Sequence, residues 1–147
     1  MEYSDISIFF VNSFIKTALK VPMEKGLDDK MQINDKLKAL RLEKKFEEDS
    51  YSFYPGATSE QERLELQESI NLLIDRLIDF PTIPIKTNVI EEFAKTIESL
   101  NDCDSEDKER TCFYMEKIMD IFGIESSDGF LNTWLYGFDP NNGIPQQ

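Results

Sequence analysis

Apolar residues recur at steps of three and four along most of the chain, the spacing that places them on one face of an α-helix. The clearest run occupies residues 59–80, and its apolar positions are Leu66, Ile70, Leu73, Ile74, Leu77 and Ile78. Ser59 and Glu62 have the spacing of a capping box, and Pro81 directly follows the run. The pattern therefore predicts a helix from Ser59 to Phe80.

The same spacing predicts helices on both sides of this one. They run from about Asp5 to Lys20, from Asn34 or as early as Asp28 to Phe46, from Asn88 to Leu100, from Ser105 to Phe122, and from Asp128 to Phe138. No segment alternates in the way typical of a strand. We therefore predict an all-α fold: a single-domain bundle of five or six helices over residues 1–138, with an N-terminal helix and connector at 1–26 and a flexible tail at 139–147.

Several expectations about packing follow. Leu37, Leu40 and Phe46 should face inward with Leu42 beside them, while the opposite face is basic: Lys36, Lys38, Arg41, Lys44 and Lys45. Residues 47–57 form an acidic, aromatic connector that contains the turn signal Pro55-Gly56. Its aromatic residues, Tyr51, Phe53 and Tyr54, either close the end of the bundle or stack on a ligand. Trp134 is expected to anchor the last helix in the core.

The acidic charge is concentrated in the last two thirds of the chain. Residues 1–46 hold nine bases and seven acids, a net of +2, whereas residues 47–147 hold seven bases and 22 acids, a net of −15. The total is −13. Such a field repels nucleic acid and anionic membranes and attracts cationic partners, and it also keeps a small protein in solution.

Composition excludes several kinds of chemistry. The chain contains no histidine, which removes every histidine-based nucleophile, general base and metal site. Two cysteines are too few for a disulfide framework or a structural zinc site. The apolar stretch at residues 6–15 is too short to span a bilayer and follows acids rather than the bases of a signal peptide. We expect no cofactor, no catalytic residues and a cytoplasmic location.

A metal-dependent enzyme is the alternative. Glu106 and Glu109 form one carboxylate pair, and Glu125 and Asp128 form a second. Two such pairs on facing helices can hold Mg²⁺ against a nucleotide, an arrangement that resembles all-α nucleotide pyrophosphohydrolases. Asp128 is more simply interpreted as a helix cap.

Three segments carry a family resemblance: Tyr54-Pro55-Gly56, the run Gly123-Ile124-Glu125-Ser126-Ser127-Asp128-Gly129, and Trp134-Leu135-Tyr136-Gly137-Phe138. Over about residues 37–138 the chain resembles an uncharacterised bacterial family of small helical proteins that is catalogued as a domain of unknown function. The resemblance implies a helical fold and transfers no catalytic residue.

The sequence therefore favours a small acidic protein that neutralises a cationic protein partner, most concretely an immunity protein for a bacterial toxin domain. A structural or regulatory helical module is the other alternative, and a homodimer through the N-terminal helix is possible. The predicted partner-binding residues are Glu98, Asp102, Asp104, Glu106, Asp107, Glu109 and Tyr136. A second acidic patch consists of Glu60, Glu62, Glu65 and Glu68.

Overall fold

The computed structural model of the chain describes residues 26–137. The predicted helix Asp5–Lys20, the homodimer contact assigned to it and the predicted tail from residue 139 lie outside the described residues. Within residues 26–137 the chain forms five helices and no strand. They are α1 at residues 26–42, α2 at Glu60–Ile78, α3 at Lys86–Glu98, α4 at Ser105–Phe122 and α5 at Phe130–Tyr136. The prediction of an all-α fold is confirmed.

Short polar side chains and glycines set most of the helix ends. Ser59 caps α2 by accepting a hydrogen bond from the Glu62 N–H at 3.1 Å, and Asp104 caps α4 by accepting from the Asp107 N–H at 2.8 Å. Gly123 ends α4 in the left-handed conformation, with φ at 72°. The cap at Ser59 agrees with its predicted spacing to Glu62, and α4 has the predicted bounds Ser105–Phe122.

Two predicted helix starts were wrong. Helix α3 begins at Lys86, and the Asn88 side chain lies inside its first turn, where it accepts from the Ile85 N–H at 3.2 Å. Helix α5 follows Gly129 rather than Asp128. In both cases a polar residue with capping spacing lies close to the helix start but not at the N-cap position.

The predicted apolar face of α2 forms the centre of the core, where it meets the inward faces of the other helices. Core residues with almost no exposed surface include Leu37, Phe46, Ile70, Leu73, Ile74, Val89, Phe93, Met115 and Ile118. Leu42 is instead 84% exposed, because α1 ends at that residue and the chain then turns toward the core through Phe46. Trp134 is only half-buried, and its indole N–H donates to Asn101 Oδ1 at 3.0 Å.

Lys45 is fully buried, although the sequence places it on the exposed basic face. Its ammonium group donates to the carbonyl oxygens of Arg41 at 3.1 Å and Glu43 at 2.9 Å, and to Asn71 Oδ1 at 2.9 Å. Burial lowers the pKa of Lys45 to about 8. The side chain thus satisfies carbonyls that α1 leaves open at its C-terminal end.

Helices α2 and α3 are joined by a partly buried ion pair. Arg76 Nε donates to Glu92 Oε1 at 2.7 Å, and its Nη2 donates to Thr96 Oγ1 at 2.8 Å. Lys95 donates to the second Glu92 oxygen at 2.9 Å. Although burial alone would raise it, the pKa of Glu92 is lowered because Arg76 and Lys95 donate to the carboxylate.

Among residues 26–137, no helix has the length and apolar character needed to cross a membrane.

Candidate functional site

The connector between α1 and α2 folds into a tight turn that projects two aromatic rings. Asp49 and Tyr54 exchange both backbone hydrogen bonds, at 2.9 and 3.0 Å. The turn between them carries Tyr51, which is 97% exposed, and Phe53, which is 91% exposed. We call residues 49–54 the aromatic turn. Tyr54 is buried against the bundle and closes its end, as one predicted use of the connector requires, while Tyr51 and Phe53 are exposed.

The aromatic turn is tied to α4 at two points. Tyr54 is buried, and its hydroxyl donates to Asp107 Oδ1 at 2.7 Å. Arg110 Nη1 donates to Asp49 Oδ2 at 3.0 Å and to Ser52 Oγ at 3.1 Å. Because these contacts join residues more than 50 positions apart, they fix the turn against the bundle rather than only within the connector.

Gly56 allows the chain to return from the aromatic turn to α2. Its φ is 86°, in the left-handed region, and a Cβ at this position would lie 3.0 Å from the Glu48 backbone nitrogen. Ala57 N–H then donates to the Phe46 carbonyl at 3.1 Å. The turn signal at Pro55-Gly56 therefore reflects both a backbone conformation and a close approach of two segments.

Asp107 lies beneath the aromatic turn and is only 1% exposed. The prediction that it contacts a partner is therefore wrong. Its Oδ2 has no hydrogen-bond donor, and the neighbouring group is the Glu62 carboxyl. Burial raises the pKa of Asp107 to about 6, aided by the charges of Asp104 and Glu62 and opposed by the hydrogen bond from Tyr54. Asp107 therefore favours protonation in mildly acidic solution.

A small cavity opens between the aromatic turn and α4. It has a volume of about 120 Å³ and is lined by Ser52, Phe53, Tyr54, Pro55, Glu106, Glu109, Arg110 and Phe113. Arg110 packs its guanidinium against three rings, with its central carbon 4.2 Å from the Phe113 ring centroid, 5.1 Å from that of Tyr54 and 5.3 Å from that of Tyr114. We call this cavity the turn pocket.

A second, more polar cleft of about 440 Å³ separates α2 from the loop that follows α3. Glu62 and Glu65 line it from α2, and Ser99, Leu100 and Cys103 line it from the loop. The cleft therefore lies between the second acidic patch, on α2, and the loop that contains Asp102 and Asp104. We call six carboxylates the acidic rim, since they line this cleft, line the turn pocket or directly precede α4: Glu62, Glu65, Asp102, Asp104, Glu106 and Glu109.

The other predicted partner-binding residues are distributed unevenly around this rim. Glu98 is exposed at the end of α3, next to Ser99 in the cleft wall. Asp102, Asp104, Glu106 and Glu109 are exposed and belong to the rim. Tyr136 is exposed at the last position of α5. The two basic residues in this part of α4 already have partners. Arg110 forms an ion pair with Asp49, and Lys108 Nζ lies 5.7 Å from the centroid of the Trp134 ring.

The alternative metal site is not assembled. Glu106 and Glu109 lie in the first turns of α4, whereas Glu125 and Asp128 follow its C-terminal end. The helix has 18 residues and is therefore about 27 Å long. Asp128 pairs instead with Lys86 at 2.7 Å. Within residues 26–137 no group of three or more metal-binding side chains is close enough to hold one ion. This predicted ligand set was wrong, because the two carboxylate pairs lie at opposite ends of α4 rather than on facing helices.

Neither cysteine is activated as a nucleophile. Burial, aided by the Asp107 charge, raises the pKa of Cys103 to about 11. Burial raises the pKa of Cys112 to about 12. At Cys103 burial is the larger cause, and its acidic neighbours add to the shift.

Sequence reasoning missed the contribution of Tyr114. This residue is buried, its hydroxyl accepts from the Phe46 N–H at 2.9 Å, and its ring centroid lies 5.1 Å from that of Phe46. In the sequence Tyr114 directly precedes Met115 and so widens the apolar stripe of α4. That position was the available signal that Tyr114 is buried. Tyr114 and Tyr54 thus both hydrogen-bond across the boundary between α4 and the chain that joins α1 to α2.

Fold and surface place the chain among small all-α bundle proteins with an acidic end. It belongs to a family described as "Domain of unknown function (DUF4844)", whose model matches residues 28–139. The resemblance drawn from the sequence is confirmed, and the match begins before residue 37. The crystal structure of a DUF3571 family protein from Acinetobacter baumannii AYE, at 1.95 Å resolution, is similar with a TM-score of 0.68 and 25% identity, over 75% of this chain and 93% of that one. No protein with a curated description matches the chain.

Proposed function

We propose that this protein binds a cationic protein through the acidic rim and neutralises it. The observation that supports this most directly is the convergence of carboxylates from α2, from the loop after α3 and from the first turns of α4 around one helix N-terminus. Carboxylates gathered in this way attract a basic surface over distance and speed its association. A large single-sign field also favours a cationic partner over nucleic acid.

The most concrete form of the proposal is a bacterial immunity protein that acts in the cytoplasm. Toxins that act on nucleic acid carry basic grooves, and an acidic inhibitor can occupy such a groove in place of the substrate. The small size of the chain and its negative charge fit this role. In this form, co-expression of the protein with its partner protects cells, and the purified protein suppresses the activity of the partner at an equimolar ratio.

The test compares two variants with equal changes of charge. The rim variant carries Glu65→Gln, Asp102→Asn and Glu109→Gln. The control variant carries Glu91→Gln, Glu116→Gln and Asp120→Asn, which are exposed positions outside the acidic rim. Each protein is immobilised and used to isolate interacting proteins from the native host, and the Kd is then measured with the purified partner at several salt concentrations.

We expect the rim variant to weaken binding about tenfold at low salt, mostly through slower association, and the control variant to bind as wild type. We also expect the affinity of wild type to fall as salt is added. Equal binding by the rim variant and wild type would contradict the proposal. A partner that is acidic, or one whose binding does not depend on salt, would favour the structural or regulatory alternative.

A further inference from the structure

Phe53 and Phe46 both have an unfavourable backbone conformation, but only Phe46 is stabilised by burial. Both residues have a positive φ, 58° for Phe53 and 63° for Phe46, where aromatic side chains are rare. Phe46 is fully buried and packs against Tyr114, so the core explains it. Phe53 is 91% exposed. Folding alone therefore does not account for a phenylalanine at this position, which indicates that the ring contacts something other than its own chain.

The turn pocket beside Phe53 has the size and the walls of a site for one side chain. Its volume of about 120 Å³ corresponds to roughly four water molecules. Rings and the proline form the apolar walls: Phe53, Tyr54, Pro55 and Phe113. Glu106 and Glu109 line the same pocket and are exposed. A side chain with an apolar stem and a cationic head matches both parts of this lining.

Two cations already contact the Phe113 wall of the pocket: Arg110, and Lys117, whose ammonium nitrogen lies 4.8 Å from the ring centroid. The Arg110 side chain is largely buried, and its charge is paired with Asp49 at 3.0 Å. An incoming cation can reach the exposed carboxylates of Glu106 and Glu109 and the exposed ring of Phe53 on the other wall. A planar guanidinium can stack on a phenyl ring and still donate to a carboxylate, as Arg110 does between Phe113 and Asp49. An ammonium group, which is more strongly hydrated, gains less from the rings.

We infer that the aromatic turn and the turn pocket form a socket for a single arginine side chain of the cationic protein partner. The stem of the arginine lies against Phe53 and Pro55, and its guanidinium stacks on an aromatic wall and bonds to Glu106 or Glu109. The turn is already fixed by Tyr54 and Arg110, so little order is lost on binding. This inference rests on the proposed function and assigns the specific contact within it.

The test uses the full chain, labelled with ¹⁵N, and three capped hexapeptides of arginine, lysine or glutamate at low salt. We expect the arginine peptide to shift the amide signals of residues 52–54 and 106–113 most strongly, and to bind more tightly than the lysine peptide. Phe53→Asn removes the ring and suits a positive φ, so the fold and the melting temperature are retained while arginine affinity falls about fivefold. Tyr51→Asn is the matched control, since Tyr51 is equally exposed but does not line the pocket.

The possible failures are distinguishable. Arginine binding on the acidic rim that Phe53→Asn leaves unchanged would overturn the socket and leave the proposed function standing. Equal affinity for lysine and arginine would overturn the assignment to arginine. No binding of either cationic peptide at low salt would count against the socket and the proposed function together. Preferential binding of the glutamate peptide would overturn both.

Discussion

The hydroxyl of Tyr54 donates to Asp107 Oδ1 at 2.7 Å, and this hydrogen bond connects the aromatic turn to the first turn of α4. Burial of the pair, together with the adjacent carboxylate, raises the pKa of Tyr54. The bond therefore keeps a neutral phenol against a carboxyl group that is itself easily protonated. It also holds the wall of the turn pocket in place, because Tyr54 lines that pocket. The stability of the fold, its dependence on pH and the shape of the turn pocket therefore all depend on Tyr54 and Asp107.

Asp107 makes the native state more stable in mildly acidic solution. Its pKa is raised from 3.8 to about 6, so between these values the native state binds more protons than the unfolded chain. The contribution of this group to the free energy of unfolding therefore falls as pH rises through that window. Asp107→Asn keeps an acceptor for Tyr54 and supplies an N–H donor toward Glu62. We expect it to raise stability at pH 7 by up to about 3 kcal/mol and to remove this slope.

Urea unfolding at several pH values between 4 and 7.5 measures that slope. Glu106→Gln is the control, because Glu106 is exposed and one residue away. Tyr54→Phe should destabilise the protein by about 1–3 kcal/mol, since it leaves Asp107 Oδ1 without its donor. A variant Asp107→Asn whose stability runs parallel to wild type at every pH would show that Asp107 does not titrate in this range.

Gly56→Ala should destabilise the protein more than Gly123→Ala, although both glycines have a positive φ. Gly123 has open space around the position of a Cβ, so the substitution there costs only backbone strain, about 1–2 kcal/mol. At Gly56 the new methyl group also meets the Glu48 backbone nitrogen at 3.0 Å, which must move. We expect a total cost of about 2–4 kcal/mol, measured by thermal and chemical unfolding. Equal costs for the two substitutions would show that the connector adjusts freely.

Lys45→Met should cost about 2–4 kcal/mol, because it leaves two carbonyl oxygens and the Asn71 amide oxygen without donors. The pKa of Lys45 is lowered from 10.5 to about 8, so between these values the native state binds fewer protons than the unfolded chain. Its contribution to stability therefore rises with pH in this window, and the variant should lose that rise. Lys44→Met, at an exposed position, is the control and should change little. Unfolding measured from pH 7 to 10 distinguishes the two.

Phe53→Asn should leave stability unchanged or increase it by about 1 kcal/mol, because asparagine tolerates a positive φ better than phenylalanine. Phe46→Asn, at the same kind of backbone position, should lose about 3–5 kcal/mol, since Phe46 is fully buried. The two are compared by chemical unfolding. A large loss at Phe53 would mean that its ring supports the fold, which would remove the argument for an external contact.

Local sequence determined which segments form helices, the start of α2 and both ends of α4. The spacing of Leu66, Ile70 and Leu73 predicts both the helix and its buried face, because residues three and four apart lie on one side of the same helix. Ser59 also acts within its own helix, and its role at the start of α2 was predicted correctly. The family resemblance likewise came from contiguous segments.

Tertiary structure decided which polar residues are buried. Lys45 and Asp107 look like exposed charges in the sequence, and both are buried against distant segments, where Asn71 accepts from Lys45 and Tyr54 donates to Asp107. Tyr54 lies 53 positions from Asp107, a separation across which no periodic pattern operates. The acidic rim and the turn pocket have the same origin. The repeat of a helix fixes which residues share a face, but only the packing of distant segments fixes what that face meets.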